Sequence, residues 1–123
     1  IPDPDLFSRG FNPFCGDEVT LMITLATENQ IKAIGFTGQG CSISQASASI
    51  LTELIKGKSL KEIMEISDVF RNLVKGLAVS DEDLDKLGEL EALKGVSKFP
   101  VRIKCALLPW STLEDAISKN KDL

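Results

Sequence analysis

The sequence predicts an α+β fold, a small antiparallel β-sheet of about three strands packed against several α-helices. Two observations carry this. Apolar residues alternate with period two over the first third of the chain, and beyond residue 40 the period becomes helical, punctuated by helix start and stop signals.

The opening stretch IPDPDLFSRGFNPFCG holds three of the five prolines and two glycines, so residues 1–14 are expected to form an irregular arm. From Val19, the residues Val19, Leu21, Ile23 and Leu25 share one face while Thr20, Thr24 and Ala26 take the other, as in a half-buried strand. Glu28-Asn29-Gln30 reads as a turn, and Ile31 to Thr37 as the returning strand of a hairpin. Gly38-Gln39-Gly40 then breaks the pattern and permits a sharp bend or a close backbone approach.

After Cys41, Ile43, Ala46, Ile50, Leu51, Leu54 and Ile55 line one helical face. Lys56-Gly57 is a stop signal, and Ser59 with Glu62 is a capping box that opens the next helix. Ser80 with Asp83 marks another start, with an expected end at Lys94-Gly95. The last helix is expected from Pro100 onward, with a kink at Pro109 where a backbone donor is lost.

A chain of 123 residues, 43% apolar and 26% charged, is expected to form a single domain over 1–123. A net charge of −4 with both signs interspersed argues against nucleic acid as a partner. No apolar run reaches bilayer length and no signal-peptide pattern opens the chain, so the expected location is the cytoplasm, with no membrane partner. There are three Cys and no His. The odd number argues against a disulfide framework. The absence of His removes Ser–His–Asp and Cys–His catalysis, and leaves Cys and carboxylates to make any metal site.

Cys15 lies in a turn-rich loop ahead of the first predicted strand, and Cys41 where sheet gives way to helix. Function is favoured for thiols in such Gly-bearing loops. At a helix N-terminus, Cys41 would be favoured as the thiolate. Cys105, flanked by Ile103 and Ala106, reads equally as a buried core thiol or as a third ligand. Asp17, two residues beyond Cys15, can project to the same side of an extended segment, although an ordinary turn aspartate fits its residue type better. Arg102 and Lys104 could balance the charge of several thiolates, or form a solvated helix face. The spacing is not a zinc-ribbon pattern, so residue types and spacing alone leave a metal site as one reading among these.

Three segments carry a resemblance. Asn12-Pro13-Phe14-Cys15-Gly16-Asp17 resembles the N-P-x-C-G-D motif of the NifU N-terminal, IscU and SufU family. Gly38-Gln39-Gly40-Cys41-Ser42-Ile43-Ser44-Gln45-Ala46-Ser47-Ala48-Ser49 is similar to its second-cysteine segment, and Phe99 to Trp110 to the third-cysteine segment of the SufU branch. Lys104 stands where IscU-type members carry a His before the third Cys, and Gly76 to Lys98 looks like the SufU insertion. At its start the chain departs from the family, with Ile1-Pro2-Asp3-Pro4-Asp5 in place of the usual helix.

The resemblance implies a SufE/NifU-like fold and a zinc ion held by Cys15, Asp17, Cys41 and Cys105. It implies an iron–sulfur cluster assembly protein that accepts persulfide sulfur from a PLP-dependent cysteine desulfurase of the SufS type. That would make it a sulfurtransferase, with downstream cluster-assembly or acceptor proteins as further partners. Cys15 is the expected sulfur acceptor and Cys105 the second choice, with Arg102 a candidate for desulfurase docking. The alternative is a scaffold that holds iron or a transient 2Fe–2S cluster on the same residues and passes it on.

Overall fold

The structure, a computed structural model, describes residues 4–12, 16–26 and 30–121. Three strands, β1 (Leu6–Asn12), β2 (Asp17–Leu25) and β3 (Ile31–Gln39), form an antiparallel sheet in the order β1-β2-β3. Four α-helices follow: α1 (Ser42–Leu54), α2 (Leu60–Val74), α3 (Asp81–Leu87) and α4 (Pro100–Lys121), with a 3₁₀ segment over Gly88–Lys98 between the last two. The α+β architecture is the one expected. No helix among the described residues is long and apolar enough to cross a membrane.

In β2 the expected alternation holds, with Val19, Leu21 and Ile23 buried against the helices. The segment expected to be an irregular arm instead contains β1, paired with β2 along its whole length from Leu6↔Ile23 to Asn12↔Asp17. Leu6 joins the core, but the other inward residues include Ser8 and Asn12 while Phe7 and Phe11 face out, so apolarity and burial disagree over much of the strand. The predicted turn between β2 and β3 lies partly outside the described residues, since only its Gln30 is described.

The capping box of α2 forms in both directions. Ser59 Oγ accepts from the Glu62 N–H, and the Glu62 carboxylate accepts from the Ser59 N–H. The helix expected to run from Ser80 to Lys94 stops at Leu87, because Gly88 takes a left-handed φ of 53° and the chain continues as 3₁₀ turns. α4 runs on through Pro109 as one element.

α4 lies across β1 and β2, and α1 packs against β3 and α4. Both contacts depend on small residues. A Cβ on Gly10 would overlap Thr112 Oγ1, so glycine lets α4 approach β1. The buried face of α1 includes Ser44, Ser47 and Ala48, and Ser47 donates to the Ala106 carbonyl of α4 at 2.6 Å. In the core beyond, Phe70 and Trp110 pack with ring centroids 5.7 Å apart. Arg71 of α2 reaches both carboxylate oxygens of Glu114 on α4 at 2.9 Å, and the buried Ser67 hydroxyl joins the same carboxylate.

Candidate metal centre

The hairpin of β1 and β2, the junction of β3 with α1, and the second turn of α4 meet at one point. Asp17 opens β2 and is fully buried. A buried carboxylate needs partners, and its Oδ1 accepts the backbone N–H of Cys41 at 2.7 Å. Its Oδ2 faces the Cys41 sulfur at 3.7 Å.

Cys41 is the N-cap residue of α1, in extended conformation and with no side-chain cap. That position aims its half-buried thiol at the end of the sheet, close to free helix N–H groups that favour negative charge. Ser44, one turn on, donates to the Cys41 carbonyl at 3.0 Å and sits 3.8 Å from its sulfur. Gly40 makes this closure possible. A Cβ there would overlap Asp17 Oδ1 and stand 2.9 Å from Ser44 Oγ.

Cys105 comes in from α4 and is 1% exposed. Asn12 Nδ2 donates to its sulfur at 3.7 Å. One ligand atom each from Asp17, Cys41 and Cys105 lie within 4.8 Å of one another. Two thiols and a carboxylate suit zinc or iron, and tetrahedral thiolate ligands of zinc stand about 3.8 Å apart. The donor set and its spacing therefore fit such an ion after a slight contraction. Cys15, the fourth expected ligand, lies outside the described residues.

The structure separates the two cations that flank Cys105. Arg102 lies over the Phe99 ring, 4.7 Å from its centroid, and lines an open groove with Cys41, Ile43, Val101 and Cys105. Lys104 lines a different cavity, with Asn12, Arg71 and Ser111. Two residues of helix turn the side chain by about 200°, which accounts for the split. Asn12 and Ser44 join the site without an expected role. Their signal lay in position: Asn12 pairs with Asp17 across the hairpin, and Ser44 is one turn beyond Cys41 at the N-cap position.

The NifU-like N-terminal domain family matches residues 6–119. The chain belongs to this family. Over 110 residues it is 44% identical to the zinc-dependent sulfurtransferase SufU of Bacillus subtilis (strain 168), spanning 89% of this chain and 73% of that protein. It is 42% identical over 109 residues to the iron-sulfur cluster assembly scaffold protein IscU of Streptococcus pyogenes serotype M1, spanning 89% and 67%. Among solved structures, the SUF-system scaffold candidate FiSufU from thermophilic Fervidobacterium islandicum AW-1 superposes with a TM-score of 0.88 at 37% identity, over 94% of this chain and 82% of that one. An N-terminal NifU-like protein from Brucella abortus shares the fold at 17% identity, with a TM-score of 0.86 over 99% of this chain and 83% of that one. In this NifU-like domain, two segments with Cys, at the β3–α1 junction and on α4, are brought together with the Asp of the first motif.

Proposed function

We propose that this chain is a SufU-type iron–sulfur cluster assembly protein, a zinc-holding acceptor and carrier of persulfide sulfur. The observation that carries the reading is the convergence of Asp17, Cys41 and Cys105 from three separate segments. The name of the Bacillus relative, a zinc-dependent sulfurtransferase, supports it. Cys15, Asp17, Cys41 and Cys105 would hold the zinc, which when bound keeps their thiols deprotonated at neutral pH. Asp17 braces Cys41 through its backbone N–H, and Ser44 braces the Cys41 carbonyl.

The sulfur donor in this reading is a PLP-dependent cysteine desulfurase of the SufS type carrying a cysteine persulfide, in a compartment that keeps thiols reduced, the cytoplasm. An acceptor thiolate attacks the outer persulfide sulfur. A new S–S bond forms on the acceptor as the donor's S–S bond breaks, and the donor cysteine leaves as a thiolate. Cys15 is the assigned acceptor. Cys105 is the second choice, and its 1% exposure disfavours it. Arg102, beside the groove that reaches Cys41 and Cys105, is the assigned docking cation.

A second reading is supported by the name of the Streptococcus relative and by the sulfur-rich donor set. There the cargo is a 2Fe–2S cluster, assembled on the same residues and handed to an acceptor protein. Elemental analysis and a desulfurase-activation assay on one preparation separate the two. Stoichiometric zinc with stimulated desulfurase is the expected result. A labile iron–sulfur chromophore after anaerobic reconstitution, with no desulfurase response, establishes the scaffold instead. Undiminished sulfur transfer by Cys15→Ala removes Cys15 as acceptor.

A further inference from the structure

Asn12 ends β1 directly opposite Asp17, the first residue of β2. Directly opposed residues of an antiparallel pair project to the same face. Both are buried, at 5% and 0% exposure, so an amide and a carboxylate enter the site side by side. They differ in what they offer. The carboxylate accepts from the Cys41 N–H, while the amide donates to the Cys105 sulfur at 3.7 Å. An ionised thiolate only accepts, so the nitrogen of this amide, not its oxygen, belongs at the sulfur.

We propose that Asn12 is a positioning residue for Cys105: its amide donates to the Cys105 sulfur and holds it in the site as the retained, least nucleophilic thiolate. The inference rests on the reading of Cys105 as a metal ligand. A hydrogen bond to a ligating sulfur orients it, favours the thiolate over the thiol and draws off electron density, which lowers reactivity toward electrophiles. Cys41 differs in this respect. Its neighbours are the carboxylate of Asp17 and the hydroxyl of Ser44, which is already committed to the Cys41 carbonyl. Sulfur acceptance is thereby directed away from the α4 cysteine by a residue that lies at the end of strand β1.

The test compares the zinc-loaded protein with Asn12→Asp, an isosteric change that cannot donate, and with Asn12→Ala. Each cysteine's alkylation by iodoacetamide is followed by peptide mass mapping. In the parent protein Cys105 should react slowest. In a folded variant its rate should rise about 3-fold or more relative to Cys41, with a zinc affinity about 10-fold weaker by chelator competition. In the cobalt-substituted protein the thiolate-to-metal band should move to longer wavelength. An unchanged Cys105-to-Cys41 ratio, equal acceleration of every cysteine, or loss of the fold in both variants makes Asn12 merely structural and overturns the proposal. The measurement uses no desulfurase, so it can succeed where sulfur acceptance fails, and the reverse.

Discussion

The backbone N–H of Cys41 donates to Oδ1 of Asp17 at 2.7 Å, tying the start of α1 to the start of β2. The bond depends on Gly40, where a Cβ would overlap that same oxygen. Gly40→Ala should therefore push the carboxylate aside and destabilise the fold by about 1–3 kcal/mol, the usual cost of overpacking. Zinc affinity, measured by chelator competition, should weaken about 10-fold or more. Unaltered affinity would remove Asp17 from the ligand set.

Asp17→Asn and Asp17→Ala should differ in stability. The amide keeps an acceptor for the Cys41 N–H, whereas alanine leaves that donor without one, at a cost of about 1–3 kcal/mol. Both lose the anionic oxygen, so both should bind zinc much more weakly. Equal melting temperatures for the two variants would show that the bond to Cys41 contributes nothing.

Zinc should raise the melting temperature in proportion to the logarithm of its free concentration. Binding to the folded state alone contributes about 2.7 kcal/mol at 100 times the dissociation constant. Calorimetry with and without a chelator measures this, and a transition indifferent to zinc would contradict a site formed by the folded chain.

Glu114 supplies an independent control. It receives Arg71 through both oxygens and the Ser67 hydroxyl, with the Arg71 and Glu114 side chains 29% and 25% exposed. Glu114→Ala should cost about 1–3 kcal/mol, since charged hydrogen bonds between α2 and α4 are lost. Zinc content should stay at the parent level. Denaturant unfolding together with elemental analysis reads both outcomes.

Ser59→Ala should lower stability by about 1 kcal/mol, because it removes one half of the capping box. Its effect on the unfolding midpoint should be independent of zinc. A non-additive double change with Asp17→Asn would signal an unforeseen coupling across the fold.

Strand β2 was legible because Val19, Leu21 and Ile23 alternate in phase with their burial. β1 was not, because its exposed positions include Phe7 at 52% and Phe11 at 65% while Ser8 and Asn12 point inward. Local pattern reports apolarity, whereas burial here is imposed by α4 lying over the strand. Gly88 was missed as the end of α3 for a related reason: the apolar pattern continues past it through Leu90 and Leu93, and only the backbone turn interrupts.

For the site, Cys41 was legible from its place at a helix start. Cys105 left two readings open, and the structure shows why: it is a buried thiol that also faces Asp17 and Cys41. Asp17 looked like a turn residue because residue type and spacing do not reveal which helix will cover a strand end. Arg102 and Lys104, both expected as charge partners, are separated by the helical turn between them, which sends them to different cavities.

The contact of Phe70 with Trp110 gives the protein an optical handle. Trp110 is the sole tryptophan, fully buried, and stands on α4 a little more than one turn beyond Cys105. Excitation of indole therefore samples a single environment, on the helix that carries a candidate ligand. Its emission should be blue-shifted in the folded protein. A red shift during metal stripping would be a local signal from α4, read without any added label.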